Sequence, residues 1–124
     1  MQFLMLIYTD PQLLDALPEG EYDAWMRGCI RKADALRGEG KLLASQQLEA
    51  PASGRSLRVR QDRETVLDGP FAETKEVLAG FNLIEAEDLD AAMEIARGFP
   101  WSRTGCIEVR PVRDFEGVRR RVGA

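Results

Sequence analysis

Histidine is absent from all 124 residues. That excludes a Ser-His-Asp or Cys-His nucleophile, a histidine general base and the common zinc sites. Any acid–base chemistry must fall to Asp, Glu, Lys, Tyr or Cys. Cysteine is scarce. Cys29 and Cys106 stand far apart, in no metal-binding or redox spacing. No metal and no cofactor is expected, and a cytoplasmic protein with reduced thiols is the default. Long hydrophobic runs are missing too, so no membrane span is expected. The apolar N-terminus, Met1 to Tyr8, lacks the basic flank and small-residue cleavage site of a signal peptide. Nor is there a basic surplus. Lys and Arg number 17 against 21 Asp and Glu, a net charge of −4. Nucleic-acid binding, which counterion release drives, is therefore disfavoured. The cluster Arg119-Arg120-Arg121 is too small to reverse that balance.

What is present is ordinary globular composition, 44% hydrophobic and 31% charged, in a chain of single-domain length, residues 1–124. Phe3, Met5 and Ile7 alternate with Leu4, Leu6 and Tyr8. A strand apolar on both faces is central and covered twice. Thr9-Asp10-Pro11 ends it, and residues 12–17 read as a loop or single turn. Pro18 with Glu19 and Glu21 suits a helix start. Tyr22, Trp25, Met26, Cys29, Ala33 and Leu36 then form one helical stripe, closed by Gly38-Glu39-Gly40. Lys41 to Leu48 reads as a second strand.

Residues 56–61 alternate, with Leu57 and Val59 expected to face in and Arg58 and Arg60 out. With Thr65-Val66-Leu67 they form a hairpin around a turn at 62–64. A loop over 68–78 follows, then a strand over Gly80 to Ala86. Asp88 caps a second helix with Leu89, Ala92, Met93 and Ala96 on its apolar side. Gly98-Phe99-Pro100 stops it. The last strand covers Gly105 to Val112, and Asp114 caps a short basic helix reaching Arg121. The order is βαββαβ with an inserted hairpin: an α+β, ferredoxin-like plan with both helices on one face of an antiparallel sheet. Leu4, Leu6 and Tyr8 then need cover on the other face. A second copy across a two-fold axis provides it, so a homodimer is expected, with the two sheets facing each other around a lined space.

Candidate site residues gather around the loop. Asp68-Gly69-Pro70 reads first as turn chemistry; beside a cavity mouth, Asp68 becomes a base or ligand anchor. Glu73, Lys75 and Glu76 read as a solvated short helix, or as a group in which Lys75 or Glu76 turns to a ligand. Arg58, Arg60 and Arg110 serve either interface pairing with Glu108 or an anion clamp for a small carboxylate. Tyr8 and Asp10 end the central strand, where Tyr8 packs. Cys29 and Trp25 read as core, Trp101 as loop cover and Cys106 as a small interface residue.

The run Val66-Leu67-Asp68-Gly69-Pro70-Phe71-Ala72-Glu73-Thr74-Lys75-Glu76 is long and specific. Together with Phe3 to Tyr8, Ala79 to Ile84, Leu89 to Ala92 and Gly105 to Val112, it resembles the YCII-related family, in its DGPF branch. The resemblance implies a dimeric α+β barrel and, for this branch, an association with alternative sigma factors. It also implies, in some relatives, enzymes that act on small ring-derived acids through a His–Asp pair. This chain departs at both positions: Trp25 stands at the histidine, and Phe99-Pro100-Trp101 replaces Asp-Pro-Tyr. The expected function is a dimeric small-molecule-binding or accessory protein. The alternative is an isomerase or elimination enzyme on a small carboxylate. There Asp68 or Glu76 acts as base, with Arg58, Arg110, Tyr8 and Lys75 at the ligand.

Overall fold

A computed structural model describes all of residues 1–124. Strand β1 spans Gln2–Thr9 and helix α1 is a single turn, Pro11–Asp15. Asp10 starts that turn, its carboxylate accepting the Gln12 backbone N–H at 3.0 Å. Helix α2 runs Glu21–Gly38, β2 Leu42–Gln47, β3 Arg55–Arg60, β4 Arg63–Asp68 and β5 Val77–Glu85. Helix α3, Leu89–Arg97, starts where Asp88 accepts the Ala91 N–H at 2.8 Å. Strand β6, Gly105–Pro111, and helix α4, Phe115–Val122, close the chain.

Four strands form one antiparallel sheet in the order β2-β5-β1-β6. This is the expected α+β, ferredoxin-like topology. Alternation along β1 decides which side is core. Phe3 and Met5 are 1% and 0% exposed and pack with Ile84 and Leu42 of the sheet, Leu36 of α2 and Ala92 and Ala96 of α3. Burying each large side chain of this kind is worth about 1.5–3 kcal/mol. The other face of β1 carries Leu4, Leu6 and Tyr8, all half-buried, beside Phe81 and Leu83 of β5. No helix of the protein is long and apolar enough to cross a membrane.

The hairpin differs from expectation. Strands β3 and β4 make a sheet of their own and add nothing to the core. Leu57 and Val59 do not face in; they are 65% and 55% exposed, with Val66 beside them. The turn is two residues long, not three: Gln61 and Asp62 both take positive φ, 53° and 60°. That geometry matches the twist of a tight hairpin. Alternation was read correctly here, but a period of two does not say whether anything packs against the strand. Residues 69–76 form bends and irregular chain, not the solvated helix expected at Glu73 to Glu76. Leu89 is also exposed at the first turn of α3.

Where β6 meets the central strand the backbones touch. A Cβ at Gly105 would lie 2.0 Å from the Tyr8 carbonyl oxygen and 2.8 Å from Thr9 Cα. At Gly98 it would meet chiefly the flexible end of Lys32. Gly105→Ala is therefore expected to cost about 3 kcal/mol by forcing backbone apart, while Gly98→Ala costs little. Thermal unfolding of the two variants checks this; equal melting temperatures would contradict it.

Candidate functional site

The helix side of the sheet is not filled at its β2 end. A cavity of about 260 Å³ lies between α2 and strands β1, β5 and β2. Its formation follows from small and polar residues where a core would carry large apolar ones: Thr9, Ser45, Ala79 and Gly80. A bulge contributes, because the β1–β5 register slips between Ile7 and Tyr8 and leaves Ala79 unpaired with β1. On the helix side, Tyr22, Met26, Cys29 and Ile30 form the wall, and Phe99 and Trp101 close one end. The aromatic groups support each other: the Trp101 ring lies 5.8 Å from Tyr22 and 5.8 Å, edge-on, from Trp25.

The polar groups are few and mostly neutral. Ser45 donates to Asn82 Oδ1 at 2.5 Å, and Gln47 Nε2 donates to the Tyr22 hydroxyl at 3.2 Å. No Asp, Glu, Lys or Arg lines the cavity. Tyr22 and Cys29 are its only titratable groups. Burial pushes the Cys29 thiol above its ordinary value; the Trp101 indole and the nearby Lys32 charge pull the other way without cancelling this. The thiol is thus protonated at neutral pH and is a poor nucleophile.

The loop-centred candidates lie elsewhere. Asp68, at the end of β4, is exposed and paired with Arg55 at 3.2 Å. Arg58 sits over the Phe71 ring at 4.0 Å. Arg110 extends from β6 on the outer sheet face, 3.9 Å from Glu108, with Tyr8 on the neighbouring strand of that face. Glu76 is exposed, and its carbonyl accepts the Thr74 hydroxyl. A second hollow, about 400 Å³, does lie against the loop, but Pro51, Ser53, Pro70 and Thr74 line it, and Asp68, Glu76, Arg58 and Arg110 do not. The structure therefore does not bring these candidates together. Lys75, itself largely exposed, is the one candidate that pairs with a buried group. Its ammonium is 3.7 Å from Asp10, a carboxylate with a side chain only 4% exposed.

Asp10 was placed at a strand end by the sequence, and its burial could not be read there. The cavity residues Ser45, Asn82 and Gln47 were likewise missed. The only available signal was the period of two, which sets Asn82 on the same face of β5 as Ile84 and Ser45 with Gln47 on one face of β2. Trp101, expected as loop cover, is buried.

The YCII-related domain matches residues 1–116. The chain belongs to the YCII-related family. An uncharacterised protein of Rhizobium meliloti (strain 1021) is 35% identical over 114 residues, 90% of this chain and 92% of the relative. Among solved structures, 5-chloro-2-hydroxyhydroquinone dehydrochlorinase (TftG) from Burkholderia phenoliruptrix AC1100, in complex with 2,5-dihydroxybenzoquinone, aligns over 91% of this chain and 94% of that one. The TM-score is 0.45 at 14% identity, a distant likeness from which no chemistry transfers. Phe99 lines the cavity, and Trp25 packs on Trp101, which also lines it.

Removing the Lys75 charge leaves a buried carboxylate with only the Gln12 N–H. Lys75→Met is expected to lower stability by ~1–2 kcal/mol, discounted because the lysine is largely exposed. Chemical denaturation measures this; an unchanged midpoint would show that the Asp10–Lys75 pair does not hold the loop to the sheet.

Proposed function

We propose that this YCII-related chain is a small-molecule-binding or accessory protein whose ligand enters the cavity between α2 and the sheet. One observation carries the reading: a half-enclosed, aromatic-walled space with a few convergent polar groups, in a chain with no histidine and no acid lining that space. A carboxylate-dependent isomerase or elimination enzyme needs Asp68 or Glu76 at the ligand. Both lie outside the cavity lining, which weighs against that alternative. A small carboxylate could still meet Arg110 and Tyr8 on the outer sheet face, which makes that face the second place to look.

The working unit is a homodimer in this proposal. Leu4, Leu6, Phe81 and Leu83 form an apolar centre on the outer face, with Glu108 and Arg110 beside it. A two-fold axis sets such a face against itself. Cys29 and Cys106 are both unpaired, which suits a reducing, cytoplasmic setting. We read the loop motif as that of the DGPF branch, and on that reading we propose a sigma-factor-linked accessory role.

Two measurements test this. A thermal-shift screen of small ring compounds should raise the melting temperature of the native protein. Ile30→Trp, at an exposed residue of the cavity wall, should abolish the shift. Shifts that survive Ile30→Trp would move the ligand elsewhere. Light scattering should give twice the 13.9 kDa chain mass, and Leu6→Glu should return it to one chain; a monomeric parent protein would sink the dimer.

A further inference from the structure

The cavity also carries information about the chemistry of its ligand, and the argument rests on the binding reading above. Asn82 is 5% exposed and stands in the cavity wall. Its Oδ1 is occupied by the Ser45 hydroxyl at 2.5 Å. Its amide N–H₂ meets no acceptor in the chain. It is not walled in either, since the one sealed, unpartnered side-chain atom is Thr104 Oγ1. The remaining free face of Asn82 is the cavity. A nearly buried amide with two unmet donors is unfavourable unless something supplies an acceptor.

Tyr22 repeats the pattern at the mouth. Its oxygen already accepts from Gln47 Nε2, so its own O–H proton is available to a ligand. Asn82 and Tyr22 thus each present an unused donor to the cavity. Charge is excluded for a different reason. An anion entering here would lose water and find no Lys or Arg in the lining, and a cation would find no Asp or Glu. The rest of the surface is ring and alkyl: Tyr22, Phe99, Trp101, Ile7 and Met26.

We infer that the cavity takes an uncharged ring compound bearing a carbonyl oxygen, which accepts hydrogen bonds from Asn82 Nδ2 and the Tyr22 hydroxyl. The ring lies against Phe99 and Trp101. Asn82 and Tyr22 determine specificity: without them an apolar ring of the same size still fits, but the carbonyl gains nothing over a methylene.

Three probes of matched size separate these possibilities on the full chain at neutral pH: acetophenone, ethylbenzene and benzoate, titrated calorimetrically. Acetophenone should bind tighter than ethylbenzene by more than threefold, and benzoate should bind weakest. Asn82→Leu and Tyr22→Phe should each weaken acetophenone roughly 2- to 10-fold and leave ethylbenzene unchanged. Tyr22→Phe, at a partly exposed position, serves if Asn82→Leu does not fold. Equal affinities for ketone and hydrocarbon, both lost in Ile30→Trp, would overturn this ligand class while leaving the cavity as a binding site. Tightest binding by benzoate would also overturn it. No binding of any probe would remove both the class and the cavity reading.

Discussion

A central strand with apolar side chains on both faces must be covered twice, and the helices of this fold can cover only one face. Everything else in the structure follows from how β1 meets that constraint. Phe3 and Met5 are sealed by α2, α3 and the flanking strands. Leu4, Leu6 and Tyr8 remain half-buried on the opposite side. The first face also holds the cavity, because its covering layer is complete at the α3 end and incomplete at the β2 end. Near β6, buried alanines let α3 sit close. Near β2, Ser45, Asn82 and the Ala79 bulge leave space that α2 does not fill. One strand thus separates a proposed ligand face from a proposed subunit face.

The cavity is defined as much by what it excludes as by what it offers. Charged residues make up 31% of the chain, yet none of Asp, Glu, Lys or Arg reaches it. The Cys29 thiol is raised in this wall, with burial as its largest cause. A buried carboxylate does exist in this protein, but at Asp10, where it starts α1 and is answered by Lys75. That pair ties the Asp-Gly-Pro-Phe loop to the end of the central strand. It gives the loop's charged cluster a structural task. By contrast, Asp68 pairs with an exposed arginine, Arg58 lies over the half-buried Phe71 ring, and Glu76 makes no ion pair.

How much of this could be read from residues alone depends on the kind of signal. The topology was legible because hydrophobic period is a long-range average: Phe3-Leu4-Met5-Leu6-Ile7 and the stripe from Trp25 to Leu36 each repeat the same message several times. Caps at Asp88 and Asp114 were legible because each acts on an amide three residues away. The hairpin's strands were legible, but not the exposure of Leu57 and Val59, since nothing local says whether a second layer exists. The site was least legible. Asn82, Ser45 and Tyr22 come from three elements and are adjacent only through the β2–β5 pairing and the packing of α2. The conspicuous motif at Asp68 to Glu76 drew attention to the loop, while the inconspicuous polar residues line the cavity.

The most direct test of this division of the sheet is a chemical-shift map. In protein labelled with ¹⁵N, addition of acetophenone should move the Asn82 side-chain amide pair and the Trp101 indole N–H together, with the Leu4, Leu83 and Arg110 backbone amides unmoved in proportion. Shifts confined to the outer sheet face, or to the Asp68–Lys75 loop, with Asn82 and Trp101 silent, would contradict the account.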